Sequence, residues 1–107
     1  MELSDKIYIG KLIDIYGGLL TQKQLLATAN YYLQDLSLSE IAENEGISRQ
    51  GAYDLVTKSR QQLEKFEEIV GMSNFKEKVS TLLSGLLSKA QSEKEKQKIN
   101  EIISKLE

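Results

Sequence analysis

Apolar positions recur along this chain at three- and four-residue spacing, while strand-type alternation is hard to find. Ile9, Leu12, Ile13 and Tyr16 share one helical face, so a first helix is expected from about Asp5 to Tyr16, capped by Ser4 or Asp5 and stopped by Gly17 and Gly18. Thr21 with Gln24 three residues later is a capping-box pattern, and it opens a second helix carrying Leu25, Leu26, Ala29, Tyr32 and Leu33 as far as Gln34. Ser37 with Glu40 repeats the box before a short helix with Leu38, Ile41 and Ala42, which Gly46 breaks. Ser48 caps a fourth helix, whose apolar positions run through Ala52, Leu55, Val56, Leu63, Phe66 and Val70 to Gly71.

Beyond Gly71, Phe75, Val79, Leu82 and Leu86 keep a four-three-four spacing that Leu83 and Leu87 widen. Ser92 with Glu95 then boxes a last helix with Ile99, Ile102, Ile103 and Leu106. The expected architecture is all-α: a helix-turn-helix domain over residues 1–70, its motif at about 37–58, and a C-terminal helical hairpin over 71–107. A chain of 107 residues has a modest core. The stripe from Phe75 to Leu87 and the second half of the long helix hold more apolar surface than such a core covers, so a homodimer is expected, the alternative being a hairpin folded back on its own long helix.

Composition narrows the chemistry. Proline is absent, which suits long helices, and so are cysteine, histidine and tryptophan. Without them the chain lacks disulfides, thiol chemistry, the usual zinc ligands and the commonest general base, and its acids and lysines fall on polar helix faces with no pairing at catalytic spacing. The expectation is a protein that is not an enzyme, with no metal site and no cofactor. No run approaches the roughly 18 apolar residues of a membrane span, and the N-terminus lacks a basic leader, so the expected location is the cytoplasm.

A helix-turn-helix needs a small residue where its helices cross, a glycine in the turn, an apolar residue to plug the corner and a capped second helix. Ala42, Gly46, Ile47 and Ser48 hold those places in order, with Ala52 and Val56 on the buried side of the second helix. A generic helix hairpin is the plainer reading of the same residues. The stretch from Leu20 to Glu67 resembles the YlxM-like family of small bacterial proteins ascribed a DNA-binding role. The likeness rests on Leu20, Thr21, Lys23 and Gln24, on the pair Tyr31 and Tyr32, on "SLSEIAE" from Ser37 and on "GISRQGAYD" from Gly46. The resemblance implies a bundle similar to sigma factor region four, and a family associated with the genes of the signal recognition particle. Gly51 departs from the pattern, which usually holds alanine there, and is expected to weaken the start of the second helix at a cost of about 1 kcal/mol.

If that helix enters a major groove, Arg49, Gln50, Tyr53 and Asp54 are the candidates for base edges and Ser48, Thr57, Lys58 and Arg60 for phosphates. Charge argues against this. Residues 1–47 hold three basic groups against seven acidic ones, residues 48–68 four against four, and residues 69–107 seven against five, for a net charge of −2. DNA binders are usually more basic on the face that reads. Two readings stay open: a nucleic-acid-binding regulator whose paired motifs read two half-sites, with DNA favoured over RNA; or an interaction protein that offers the same scaffold to a protein or structured RNA of the signal recognition particle machinery. Tyr8, Tyr16, Tyr31 and Tyr32 sit beside leucines and read as core or interface, whereas Tyr53 stands on the outward face.

Overall fold

A computed structural model describes residues 2–106. The fold is all-α: α1 (Leu3–Tyr16), a single 3-10 turn (Gly17–Leu19), α2 (Gln22–Leu33), α3 (Leu38–Glu45), α4 (Arg49–Val70), α5 (Met72–Lys89) and α6 (Glu93–Leu106), with no strand among the described residues. The chain divides into two compact units, one ending at Gly71 and the other starting at Met72.

In the first unit both capping boxes form. Thr21 Oγ1 accepts from the Gln24 N–H at 3.2 Å and the Gln24 side chain accepts from the Thr21 N–H at 3.0 Å. Ser37 and Glu40 do the same, each bond at 3.1 Å. Helix α1 starts earlier than its sequence suggests, after Glu2, and neither Ser4 nor Asp5 caps it. Asp5 lies inside the first turn and is held by a long-range partner described below. Helix α2 is rotated from its expected phase: Ala27, Thr28 and Tyr32 are buried, while Leu26 and Leu33 stand about half exposed. Helix α2 packs on both α1 and α4, and Leu33 and Leu25 lie against Gly10 of α1 and Gly17 of the turn that follows it. Thr28 and Ser59 are fully buried and donate to their own helix, to the carbonyls of Gln24 at 2.6 Å and Leu55 at 2.7 Å, so neither hydroxyl is left unsatisfied. Ile9, Leu12, Ile41, Val56 and Leu63 complete the core.

In the second unit α5 and α6 pack on each other, and neither helix buries a single residue. Half-buried positions recur at Lys76, Ser80, Leu83 and Leu87 on α5 and at Lys96, Ile99, Ile103 and Leu106 on α6, which marks the seam between them. Phe75, Leu82 and Leu86 lie outside that seam, exposed by 60%, 69% and 56%. Ser92 Oγ accepts from the Glu95 N–H, but the Glu95 carboxylate reaches the Gln91 N–H and not that of Ser92, so the last box is displaced by one residue.

Candidate nucleic-acid interface

The corner between α3 and α4 is built from three residues. Gly46 takes a left-handed conformation (φ 67°, ψ 36°), which lets its N–H donate to the Glu43 carbonyl at 3.3 Å and the Ile47 N–H donate to the Ala42 carbonyl at 3.0 Å. Ile47 turns inward against the core. Ser48 is extended (φ −71°, ψ 161°), and its Oγ accepts from the Gly51 N–H at 2.9 Å, satisfying a donor that the first turn of α4 would otherwise leave open. Gly51 is therefore a first-turn residue with a capped N–H, and an added Cβ would stand 3.2 Å from the Ser48 hydroxyl oxygen.

From this corner Ala52, Val56, Ser59 and Leu63 point into the core, leaving Ser48, Arg49, Gln50, Tyr53, Asp54 and Lys58 exposed and Thr57 half-buried. Arg49 and Lys58 make no ion pair among the described residues. Gln50 donates from Nε2 to Asp54 Oδ1 at 3.0 Å, which ties a candidate base-reading amide to an anion in the middle of the outward face. Gln61 and Lys65 continue that exposed face one and two turns on, a pair that the three- and seven-residue spacing from Lys58 could have singled out.

Arg60 is placed differently from the other candidates. Its Nη1 and Nη2 donate to Asp5 Oδ2 and Oδ1, both at 2.7 Å, its Nε donates to Glu64 Oε1 at 2.6 Å, and Nη1 also reaches the Tyr32 hydroxyl at 3.2 Å. The guanidinium carbon stands 5.8 Å from the centroid of the Tyr32 ring. These bonds raise the Arg60 pKa further, chiefly through Asp5, and the same hydrogen bond holds the Asp5 carboxyl below its usual range. Burial pushes the Tyr32 phenol up, so it stays neutral. A guanidinium engaged on both edges and flanked by two carboxylates is a clamp between α1, α2 and α4, and a poor phosphate anchor. The Arg60–Glu64 spacing is readable along the helix, but nothing local announces Asp5. Beside this clamp Tyr31, Tyr32, Tyr53 and Thr57 line a groove of about 400 Å³. Tyr31 meets Tyr32 edge-on with centroids 5.1 Å apart, so both rings pack and only Tyr53, 52% exposed, projects from the outward face.

Residues 3–103 match the family model described as "Putative helix-turn-helix protein, YlxM / p13 like". The chain belongs to this family. Among its relatives, a UPF0122 protein of Malacoplasma penetrans is 51% identical over 67 residues, covering 63% of each chain. One from Clostridium kluyveri is 36% identical over 85 residues, 79% of this chain and 77% of its own. One from Listeria monocytogenes is 44% identical over 81 residues, 73% and 74%. The chain thus spans a little under two thirds of the Malacoplasma relative's length. A helix-turn-helix family fits the Gly46 corner and the capped α4, and no helix among the described residues is long and apolar enough to cross a membrane.

Proposed function

We propose that this protein is a non-enzymatic, DNA-binding regulator that offers the first turns of α4 to a major groove. The observation that carries the reading is the division of α4 behind its capped corner: Ala52 and Val56 lie in the core while Arg49, Gln50, Tyr53 and Lys58 stand exposed. Arg49 and Gln50 supply base contacts, and Ser48, Thr57 and Lys58 supply phosphate contacts. Arg60 leaves the set because its charge is already matched, and Asp54 acts by orienting Gln50. A second copy supplies the second half-site.

Titration of duplex DNA at two salt concentrations tests this. Arg49→Ala or Gln50→Ala should relax base preference by about 1–3 kcal/mol, and Lys58→Ala should weaken all sequences alike and lower the salt slope by about one unit. Arg60→Ala should leave the salt slope unchanged. Absence of micromolar binding to any duplex rejects the reading.

The acidity of residues 1–47, with seven acidic groups against three basic, favours a second one: a scaffold that binds a protein of the signal recognition particle machinery. Under it, Tyr53→Ala should be the most damaging single change, as loss of an exposed aromatic anchor. Saturable binding to such a partner, with none to DNA, selects it.

A further inference from the structure

Glutamine is an ambivalent reader of bases. Its carbonyl oxygen accepts and its amide nitrogen carries two donors, so one side chain, turned over about its last bond, suits adenine in one orientation and guanine in the other. Gln50 is held in one of them. Its Nε2 donates to Asp54 Oδ1 at 3.0 Å, and a carboxylate only accepts, so turning the amide over would set Oε1 against that oxygen. The bond occupies one of the two Nε2 hydrogens, and no hydrogen bond among the described residues occupies Oε1. What remains for a ligand is one acceptor and one donor on an exposed amide, in the first turn of α4 just past the Ser48 cap.

We propose that Gln50, held by Asp54, selects an adenine in the major groove: Oε1 accepts from the N6 amino group and the remaining Nε2 hydrogen donates to N7. Adenine presents that donor and acceptor together, whereas guanine presents two acceptors, thymine an acceptor and a methyl group, and cytosine an amino group with no acceptor for the second bond. A guanine in the same place would set its O6 against Oε1, acceptor against acceptor, so the held amide excludes as well as selects. Asp54 adds to the exclusion, because its negative charge disfavours any acceptor edge brought near it and suits an amino group. This gives an anion on the outward face of α4 a use that phosphate binding does not. Asp54 is thus a positioning residue, acting through Gln50. Arg49, the residue before, offers donors only and suits guanine, so the two candidate readers do not compete for one base. The inference rests on the DNA reading of α4 above and adds the identity of a base.

Selection of random-sequence duplexes by the full chain, followed by titration of the enriched site, tests this. The site should contain an adenine at which guanine costs about 10-fold or more in affinity and 7-deazaadenine, which lacks only the N7 acceptor, about five-fold. Gln50→Ala should erase both losses. Asp54→Ala lets the amide turn over, so the preference for adenine over guanine should fall to about three-fold or less, a change of ratio that a purely structural role would not produce. In the Gln50→Ala background Asp54→Ala should leave that ratio where it is, because no amide is left to hold. Both side chains are exposed, so neither replacement opens the core. A protein that enriches no duplex overturns the DNA reading and this inference together. An enriched site without such an adenine, an effect of the missing N7 that survives Gln50→Ala, or an Asp54→Ala chain that keeps the wild-type preference overturns the inference alone.

Discussion

Asp5 and Arg60 meet in a two-pronged ion pair across 55 residues of chain, with both nitrogen–oxygen distances at 2.7 Å. The pair ties the first turn of α1 to the middle of α4, and the Tyr32 hydroxyl adds α2 to the same guanidinium. Holding α1 and α2 against the back of α4 fixes the direction in which Gln50, Tyr53 and Lys58 project.

The clamp makes stability depend on acid. Asp5 has a folded-state pKa below its unfolded one, so its contribution is present above the unfolded value, near 3.9, and is lost as pH falls through the lower folded value. Thermal melts should show wild type losing its advantage over Asp5→Asn progressively below about pH 4, with the difference constant between pH 5 and 8. A difference that grows at neutral pH would contradict this.

Arg60→Met keeps much of the aliphatic stem and removes the fork. The midpoint of thermal unfolding at pH 7 should drop by roughly 5 °C, with hydrogen exchange in α1 accelerated more than in α3. Lys58→Met, on the solvent face, should leave both unchanged.

Two glycines near the corner should respond in opposite directions. Gly46→Ala places a side chain at φ 67° and should cost about 1–2 kcal/mol in denaturant unfolding. Gly51 has helical geometry, and its would-be Cβ meets only the Ser48 hydroxyl oxygen at 3.2 Å and Ile47 at 3.7 Å. If the serine shifts by a few tenths of an ångström, Gly51→Ala should gain about 0.5–1 kcal/mol.

On the buried face of α4, Ser59→Ala should be nearly neutral, because the hydroxyl bonds to its own helix. Ser59→Leu should cost about 1–3 kcal/mol by overpacking the core around this fully buried position. Equal effects in chemical denaturation would mean that the core tolerates bulk at this position.

If α4 reads DNA, Asp54→Asn should strengthen binding about five-fold at low salt and less at high salt, since it removes an anion from the middle of the outward face. A weaker complex at every salt concentration would show that holding Gln50 outweighs the repulsion.

Local chemistry determined the helices and the corner. The Thr21 and Ser37 boxes, the left-handed Gly46 and the Ser48 cap each satisfy backbone groups within a few residues, so they could be placed along the chain without knowing the fold. The same locality made the outward residues of α4 readable. Tertiary structure decided what depends on residues far apart in sequence. Leu26 and Leu33 lost their expected place to Ala27 and Thr28 because α1, α3 and α4 all pack on α2, and the spacing of apolar residues carries no information about which side each neighbour takes. Arg60 changed from a free cation to a clamp because Asp5 arrives from another helix. The two stripes of α5 became distinct only when α6 took one of them: before packing they form one broad apolar face, and only the partner's position divides it.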